Sequence, residues 1–274
     1  MKTSQRSLKK LGALTLTSAI LFGEILPSSS YAAENDITNI ESFSLSNMPE
    51  EAKTLDAIDT KENSKEYLSE AEVRIANPYT MTLIYKELNA VIQSGKYTEE
   101  EINKIAAEKI KSSLKKSAVL RGYSIPGLPN LTDAEVQLAK SHPFEFITYG
   151  TCSVEAITAS KSYYGDTQLW QGNGDAYRHA YWNAILVKRL GGTKGRDHGD
   201  TRTKIWTDAH EQNSLGVDKE MDLQNNHFGR ATAYDNYSWS NDQYSNYLRE
   251  SVSKGDLVRI VNEQLVATTD VTGK

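Results

Sequence analysis

The chain has 274 residues, with 31 basic and 36 acidic side chains and a formal net charge of −5. This acidic balance excludes a global attraction for nucleic acid or anionic membranes, so any such contact must come from a local patch. Cys152 is the only cysteine, which excludes an intramolecular disulfide. We expect Cys152 to be a small buried residue, because no neighbouring residue indicates an activated thiolate.

Residues 1–33 have the three parts of a secretory signal peptide. Four basic residues precede an apolar run from Leu11 to Gly23, and Ser30-Tyr-Ala-Ala33 supplies the small residues of a cleavage site. A transmembrane anchor is the alternative, but a span needs about 20 apolar residues, and Glu24 interrupts this run. We therefore predict a secreted protein, extracellular or associated with the cell envelope, with no transmembrane segment after cleavage. Cleavage leaves 27 basic and 35 acidic residues, a net charge of −8.

Residues 34–66 are rich in Glu, Asp, Asn, Ser and Thr and carry few large apolar residues in periodic order. Such a segment cannot bury enough apolar surface to offset the entropy that it loses on ordering. We predict a flexible acidic leader or a pro-segment. In a further alternative, residues 34–118 together form a pro-region that masks the functional site and is trimmed from the secreted form.

Residues 67–120 predict a helical hairpin. The apolar residues of its first helix recur at helical spacing, and Gly95 ends that helix. Thr98-Glu-Glu-Glu101 is a capping-box pattern, which opens the second helix. The apolar positions are Leu83, Leu88, Val91 and Ile92 in the first helix, and Ile102, Ile105, Ala106 and Ile110 in the second.

Residues 121–265 predict the main helical domain. Thr132-Asp-Ala-Glu135 is a second capping-box pattern, and Pro143 suits the first turn of a long helix that Gly165 ends. No regular alternation of apolar and polar residues marks a sheet. Residues 255–261 either extend the last helix or form a short strand, and residues 266–274 predict a loose tail. We predict an all-α fold, with a compact domain of about six to eight helices, the N-terminal hairpin and a disordered leader.

Polar residues recur at the period of a helix between Asp175 and Asn183. Asp175, His179 and Asn183 are four apart and share one stripe, while Arg178 and Trp182 form the neighbouring stripe. Such side chains are costly to bury unless each is paired. They therefore indicate either a functional site or a satisfied polar core, and Asp175 also suits a helix N-terminus.

Two later segments add to this set. His210 and Glu211 are adjacent on a helix that Asp200 would cap, and Ser214 stands where a zinc protease motif requires a second histidine, which excludes that class. A third helix, predicted to begin at Asp218 or Lys219, carries Asp222, Asn225 and Asn226 on one face, with Arg230 four residues after Asn226. Asn is a poor interior helix residue, so two in succession indicate a specific task.

These residues resemble a family of mostly uncharacterised helical domains in secreted bacterial proteins, some of them at the tails of larger toxin-like polypeptides. The family pattern is Asp-Ala-x-Arg-His-Ala-x-Trp-Asn, then His-Glu, then Met-Asp-x-x-Asn-Asn-x-x-Gly. The resemblance covers about residues 130–235. It implies a helical domain and assigns no activity. The matching residues are Asp175, Ala176, Arg178, His179, Ala180, Trp182, Asn183, His210, Glu211, Met221, Asp222, Asn225, Asn226 and Gly229.

The leading hypothesis is a secreted bacterial hydrolase that acts on a phosphodiester or related polar substrate, with a divalent metal as the candidate cofactor. His179, His210 and Asp222 are the expected ligands, and this mixed nitrogen and oxygen set suits zinc first. The expected catalytic residues are the same three together with Glu211. Asp175 and Trp182 are expected to support the ligands from behind. The expected substrate-binding residues are Arg178, Asn183, Asn225, Asn226 and Arg230.

Two alternatives use the same residues. In a metal-free enzyme, His179 or His210 is the general base and Glu211 or Asp222 is its partner. In a non-catalytic binding module, secreted or attached to the envelope, the cluster is a structural polar network and the partner is an envelope component.

Overall fold

The helical periodicity of the sequence produces nine α-helices in the part of the chain that the computed structural model describes, residues 65–93, 95–116 and 131–270. This confirms the predicted all-α class. The predicted signal peptide and residues 34–64 of the predicted leader lie outside the described residues. None of the described helices has the length and apolar character needed to cross a membrane.

The helices are separated by short connections. Their bounds are α1 Glu70–Arg74, α2 Pro78–Gln93, α3 Glu99–Lys116, α4 Asp133–Ser141, α5 Pro143–Tyr164, α6 Asn173–Gly191, α7 Arg196–His210, α8 Gly216–Asp235 and α9 Asn241–Lys254. One-turn 3₁₀ segments follow α5 and α7. Helices α7 and α8 begin before the residues expected from the sequence, so Asp200 lies inside α7 rather than capping it.

Both predicted capping boxes form. The Thr98 backbone N–H donates to Glu101 at 2.8 Å, and the Thr132 N–H donates to Glu135 at 2.7 Å. In both cases the threonine hydroxyl accepts the return bond from the glutamate N–H. The two boxes differ in burial, since Glu101 is exposed while Glu135 is only 1% exposed.

Helix α6 is the centre of the fold, with α5, α7, α8 and α9 packed around it. Its stripe of Ala176, Ala180 and Ala184 is fully buried, and small side chains allow close approach of a neighbouring helix. Helix α8 uses this space, because a Cβ atom on Gly229 would lie only 2.0 Å from the Ala180 carbonyl oxygen. This close approach sets the polar face of α8 against that of α6.

The described part of the predicted hairpin also packs on this centre. Helices α2 and α3 contact each other, and both contact α5. Leu88 is buried as expected, but Leu83 is 63% exposed and does not join the apolar face. A helical period of 3.6 residues turns Leu83 away from the face that Leu88 occupies.

A short antiparallel hairpin follows α9, with strands β1 Val258–Val261 and β2 Gln264–Ala267. The turn residues Asn262 and Glu263 both have positive φ, as a two-residue hairpin turn requires. The predicted loose tail is therefore wrong for its first residues, because 266 and 267 lie in β2 and the Thr268 N–H donates to Leu257 at 2.9 Å.

Candidate functional site

One face of α6 contributes Asp175 and His179 to the site. Asp175 lies in the first turn of α6, where a carboxylate is favoured by the helix dipole. Its Oδ2 accepts a hydrogen bond from the Gln171 N–H at 2.7 Å, which fixes the carboxylate against the preceding loop. His179 follows one turn later and is only 1% exposed.

Asp222 on α8 completes a group of three possible metal ligands. Its Oδ1 lies 3.0 Å from His179 Nε2, and Asp175 Oδ1 lies 3.5 Å from the same nitrogen. One ligand atom from each of Asp175, His179 and Asp222 lies within 4.8 Å of the others, the only group of this kind in the described part of the chain. We call these residues the triad.

Asn183 and Asn226 orient the ring of His179. Asn183 Nδ2 donates to the His179 carbonyl oxygen at 2.9 Å and to Asn226 Oδ1 at 2.6 Å. Asn226 Oδ1 is thus an acceptor, and it lies 3.2 Å from His179 Nδ1. We therefore assign a proton to Nδ1, so that Nε2 is the ring nitrogen that faces Arg178 and the two carboxylates.

Arg178 lies beside the triad. Its Nη2 is 2.5 Å from Asp175 Oδ1 and 2.6 Å from His179 Nε2. Burial alone would raise the pKa of Asp175, but the Arg178 guanidinium and His179 hold it well below its ordinary range. Burial opposes the charge of Arg178, yet Asp175 and Asp222 raise its pKa. Asp175 and Arg178 are therefore both charged.

Two buried carboxylate oxygens close to this cation are left without a hydrogen bond. They are Asp222 Oδ1 and Glu211 Oε1, neither of which has a hydrogen-bond partner among the described residues. The other oxygen of Glu211 accepts a bond from Ser214 at 2.6 Å. Burial raises the pKa of Asp222 to about 7, and Glu211 and Asp175 add to this rise. An unpaired buried carboxylate is costly, so this pair of oxygens requires a proton or a cation.

His210 belongs to a second cluster, with Glu135 of α4 and Tyr149 of α5. Its Nδ1 lies 3.1 Å from Glu135 Oε1 and 3.3 Å from the Tyr149 hydroxyl, which donates to the same glutamate oxygen at 2.5 Å. Burial opposes the charge of His210, but Glu135 and Glu211 raise its pKa to about 9. The expected ligand set of His179, His210 and Asp222 is therefore corrected, since Asp175 takes the place of His210 in the triad.

Trp182 separates the two histidines. Its ring centroid lies 6.5 Å from that of His179 and 5.2 Å from that of His210, edge-on in both cases. The indole N–H donates to the Tyr149 carbonyl oxygen at 3.4 Å. Trp182 thus packs against both histidine rings.

Several expected substrate-binding residues have other contacts. Asn225 exchanges two hydrogen bonds with the Val258 backbone, at 2.9 and 3.1 Å, and so holds β1 on α8. Arg230 faces Asp200 at 3.5 Å, two turns from Asp222. Asn183 and Asn226 have no exposed surface and act through His179. Arg178 differs from these residues, since its guanidinium contacts both Asp175 and His179 of the triad.

The grouping of His210 with Glu135 and Tyr149 was not predictable from the sequence. Glu135 is explained by its capping box, and Tyr149 is one of 15 tyrosines. Cys152 is buried, and burial raises the pKa of its thiol to about 12, which agrees with the expected inert residue.

Residues 136–256 match the family model described as a domain of unknown function (DUF6973). The match includes the triad and His210, begins one residue after Glu135, and agrees with the resemblance to an uncharacterised domain family. Comparison with the curated proteins and with the solved structures finds no match.

Proposed function

We propose that the protein is a secreted hydrolase that binds a divalent metal at the triad and acts on a phosphodiester or related anionic substrate. The observation that carries this proposal is Asp222 Oδ1, a buried oxygen without a hydrogen bond that lies 3.0 Å from His179 Nε2. Two acceptor atoms at this distance repel each other unless a proton or a cation lies between them. One nitrogen and two carboxylate ligands suit zinc or a similar ion.

The choice of an anionic substrate rests on the cations beside the triad. Arg178 is charged, and its planar fork of donors matches phosphoryl oxygens. His210 lies near enough to Arg178 and Glu211 for both to act on its pKa. A metal at the triad would lower the pKa of a bound water and stabilise charge on a phosphoryl oxygen. The predicted signal peptide supports secretion of this enzyme.

The first test is the metal content of the purified chain, kept free of chelators and of tag histidines. We expect close to one zinc, manganese or nickel ion per chain, with loss of the metal in folded His179→Ala and Asp222→Asn variants. Asp235→Asn is the matched control, because Asp235 is an exposed aspartate at the end of the same helix. Phosphodiester hydrolysis is then measured with and without chelator.

A metal-free parent whose triad variants unfold would contradict the proposal. That result would favour a binding module in which the cluster is a structural network. The hydrogen bonds of Asn183 and Asn226 would then be the core of the network.

One contact favours a metal-free enzyme as the second candidate. Arg178 Nη2 already bonds both Asp175 Oδ1 and His179 Nε2, so a guanidinium occupies part of the space that a metal would need. Arg178→Gln separates the two cases. If a metal displaces Arg178, the variant binds metal more tightly than the parent because a competing cation is gone. If Arg178 is the resident cation, hydrolysis by the parent survives chelators and is lost in the variant.

A further inference from the structure

Glu135 does more than cap a helix. Its Oε2 accepts the capping bond from the Thr132 N–H at 2.7 Å, while its Oε1 meets the Tyr149 hydroxyl at 2.5 Å and His210 Nδ1 at 3.1 Å. It is nearly inaccessible to solvent. Glu101 has the same position in the other capping box, but it is exposed and bonds only Thr98. Burial of a glutamate at a capping position is costly, and the contact with His210 offsets that cost.

These contacts fix the orientation of the His210 ring. Nδ1 faces α4 and α5, and Trp182 of α6 packs edge-on against the ring. Nε2 lies on the opposite side of the imidazole, and no hydrogen bond among the described residues uses it. The free nitrogen therefore faces away from α4 and α5.

The charges around His210 come from four elements. Glu135 on α4 and Glu211 after α7 favour the imidazolium, Arg178 on α6 opposes it, and Tyr149 on α5 stays neutral because burial and Glu135 raise the pKa of its hydroxyl. Arg178 and Glu211 also act on Asp222 of the triad. His210 and the triad thus share one electrostatic site.

We infer that Glu135 is a positioning residue that holds His210 with its Nε2–H directed at the bound substrate, so that His210 gives this proton to the leaving group. This inference rests on the proposed hydrolase. A water oxygen forms the new bond to phosphorus and releases a proton to solvent, and the bond from phosphorus to the leaving oxygen breaks with its electron pair going to that oxygen. That oxygen takes the Nε2 proton of His210, and the neutral imidazole regains a proton from solvent.

The test compares two leaving groups. A general acid matters for an alkoxide, which is a poor leaving group, and matters little for p-nitrophenolate. With methyl benzyl phosphate we expect His210→Gln to lower kcat by about 100-fold or more, and Glu135→Gln by about 10-fold. With methyl p-nitrophenyl phosphate both variants should stay within a few-fold of the parent. Equal losses on both substrates would overturn the inference, because they indicate a purely structural role.

The matched control is Glu101→Gln, which changes the same capping-box position without a histidine nearby. We expect it to match the parent on both substrates. Glutamine at position 135 keeps an acceptor for the capping bond, as capping boxes permit. If Glu135→Gln does not fold, Tyr149→Phe takes its place in the titration of the His210 ring, since this change removes one donor to Glu135 and leaves the capping box intact.

A second readout does not need turnover. The ¹⁵N shifts of the His210 ring report its protonation state, and we expect a doubly protonated ring at pH 7.5 in the parent. In Glu135→Gln the titration of the ring should move to lower pH. In Tyr149→Phe it should move to higher pH, because Glu135 loses a competing donor and keeps more of its charge for His210. Glu101→Gln should leave the titration unchanged. A neutral ring in the parent, or no movement in the variants, overturns the inference whatever the enzyme activity. Failure of the parent to cleave either diester, with the ring behaving as expected, contradicts the proposed function instead.

Discussion

Asp222 Oδ1 lies 3.0 Å from His179 Nε2, across the contact between α8 and α6. Asn226 Oδ1 lies 3.2 Å from the opposite ring nitrogen, so Nε2 is the nitrogen of His179 that faces this carboxylate. The arrangement is unfavourable without a proton or a cation, as is common where function rather than stability determines the residues. A substitution that removes this unfavourable contact should therefore raise the stability of the metal-free protein and weaken its metal binding.

Asp222→Asn is the direct test of that opposition. The amide can donate to His179 Nε2, so the chelator-treated variant should be more stable than the chelator-treated parent, by about 1 kcal/mol in urea denaturation. The same variant should lose metal binding in calorimetry. A chelated variant that is several kcal/mol less stable than the parent would show that the carboxylate is structural.

Variants of the adjacent Asn225 and Asn226 should have different effects, because Asn226 orients the His179 ring and Asn225 attaches the β-hairpin to α8. Asn226→Ala removes the acceptor of His179 Nδ1, so we expect about 10- to 100-fold weaker metal binding. Asn225→Ala removes both bonds to Val258 and should lower stability while metal affinity stays close to that of the parent. Titration of both variants with zinc compares them. Equal losses of affinity would contradict the division of roles.

The stability that His210 contributes should depend on pH in a defined direction. The folded-state pKa is raised from 6.5 to about 9, so the contribution is complete below pH 6.5 and is lost as the pH rises through 9. At the acidic end it amounts to roughly 3 kcal/mol. The pKa of Glu135 is lowered from 4.5, so its contribution is complete above 4.5 and is lost at lower pH.

Urea denaturation of the parent and of His210→Gln between pH 5.5 and 9.5 measures this effect. We expect the largest difference near pH 6 and a much smaller one at the alkaline end. His198→Gln is the control on the same helix. Burial and Lys194 lower the pKa of His198, so its difference from the parent should stay flat above pH 6.5. A flat difference for His210→Gln as well would contradict the ion pair with Glu135.

Gly229→Ala should damage the site through the backbone. The new Cβ would lie 2.0 Å from the Ala180 carbonyl oxygen, so α8 must move away from α6 and carry Asp222 and Asn226 with it. We expect a loss of about 3 kcal/mol in the free energy of unfolding, together with weaker metal binding. At Gly150 the nearest atom is the sulfur of the flexible Met81 side chain. Gly150→Ala should therefore cost less and spare the metal site, and equal effects would show that the approach at Gly229 is not specific.

The helices themselves were predictable because their signals are local. The capping boxes at Thr98 and Thr132, and Pro143 at the start of α5, act within one turn of chain and formed as expected. A short strand within residues 255–261 was one of two alternatives, but its pairing with β2 was not predicted, since β1 and β2 are only four residues each. Short strands of this kind depend on packing, here against α8 through Asn225.

The sequence by itself determined that Asp175, His179 and Asn183 share a stripe, because the period of a helix fixes which residues lie above one another. Only the tertiary structure decided which residues of other helices meet that stripe. The approach of Gly229 to Ala180 brings Asp222 to His179, whereas Glu135 draws His210 into a separate pair. Contacts between helices depend on how the helix faces pack and on which side chains that packing buries. Two capping boxes with the same threonine and glutamate positions therefore differ in the folded protein, since Glu101 is an exposed helix cap and Glu135 is the buried partner of a histidine.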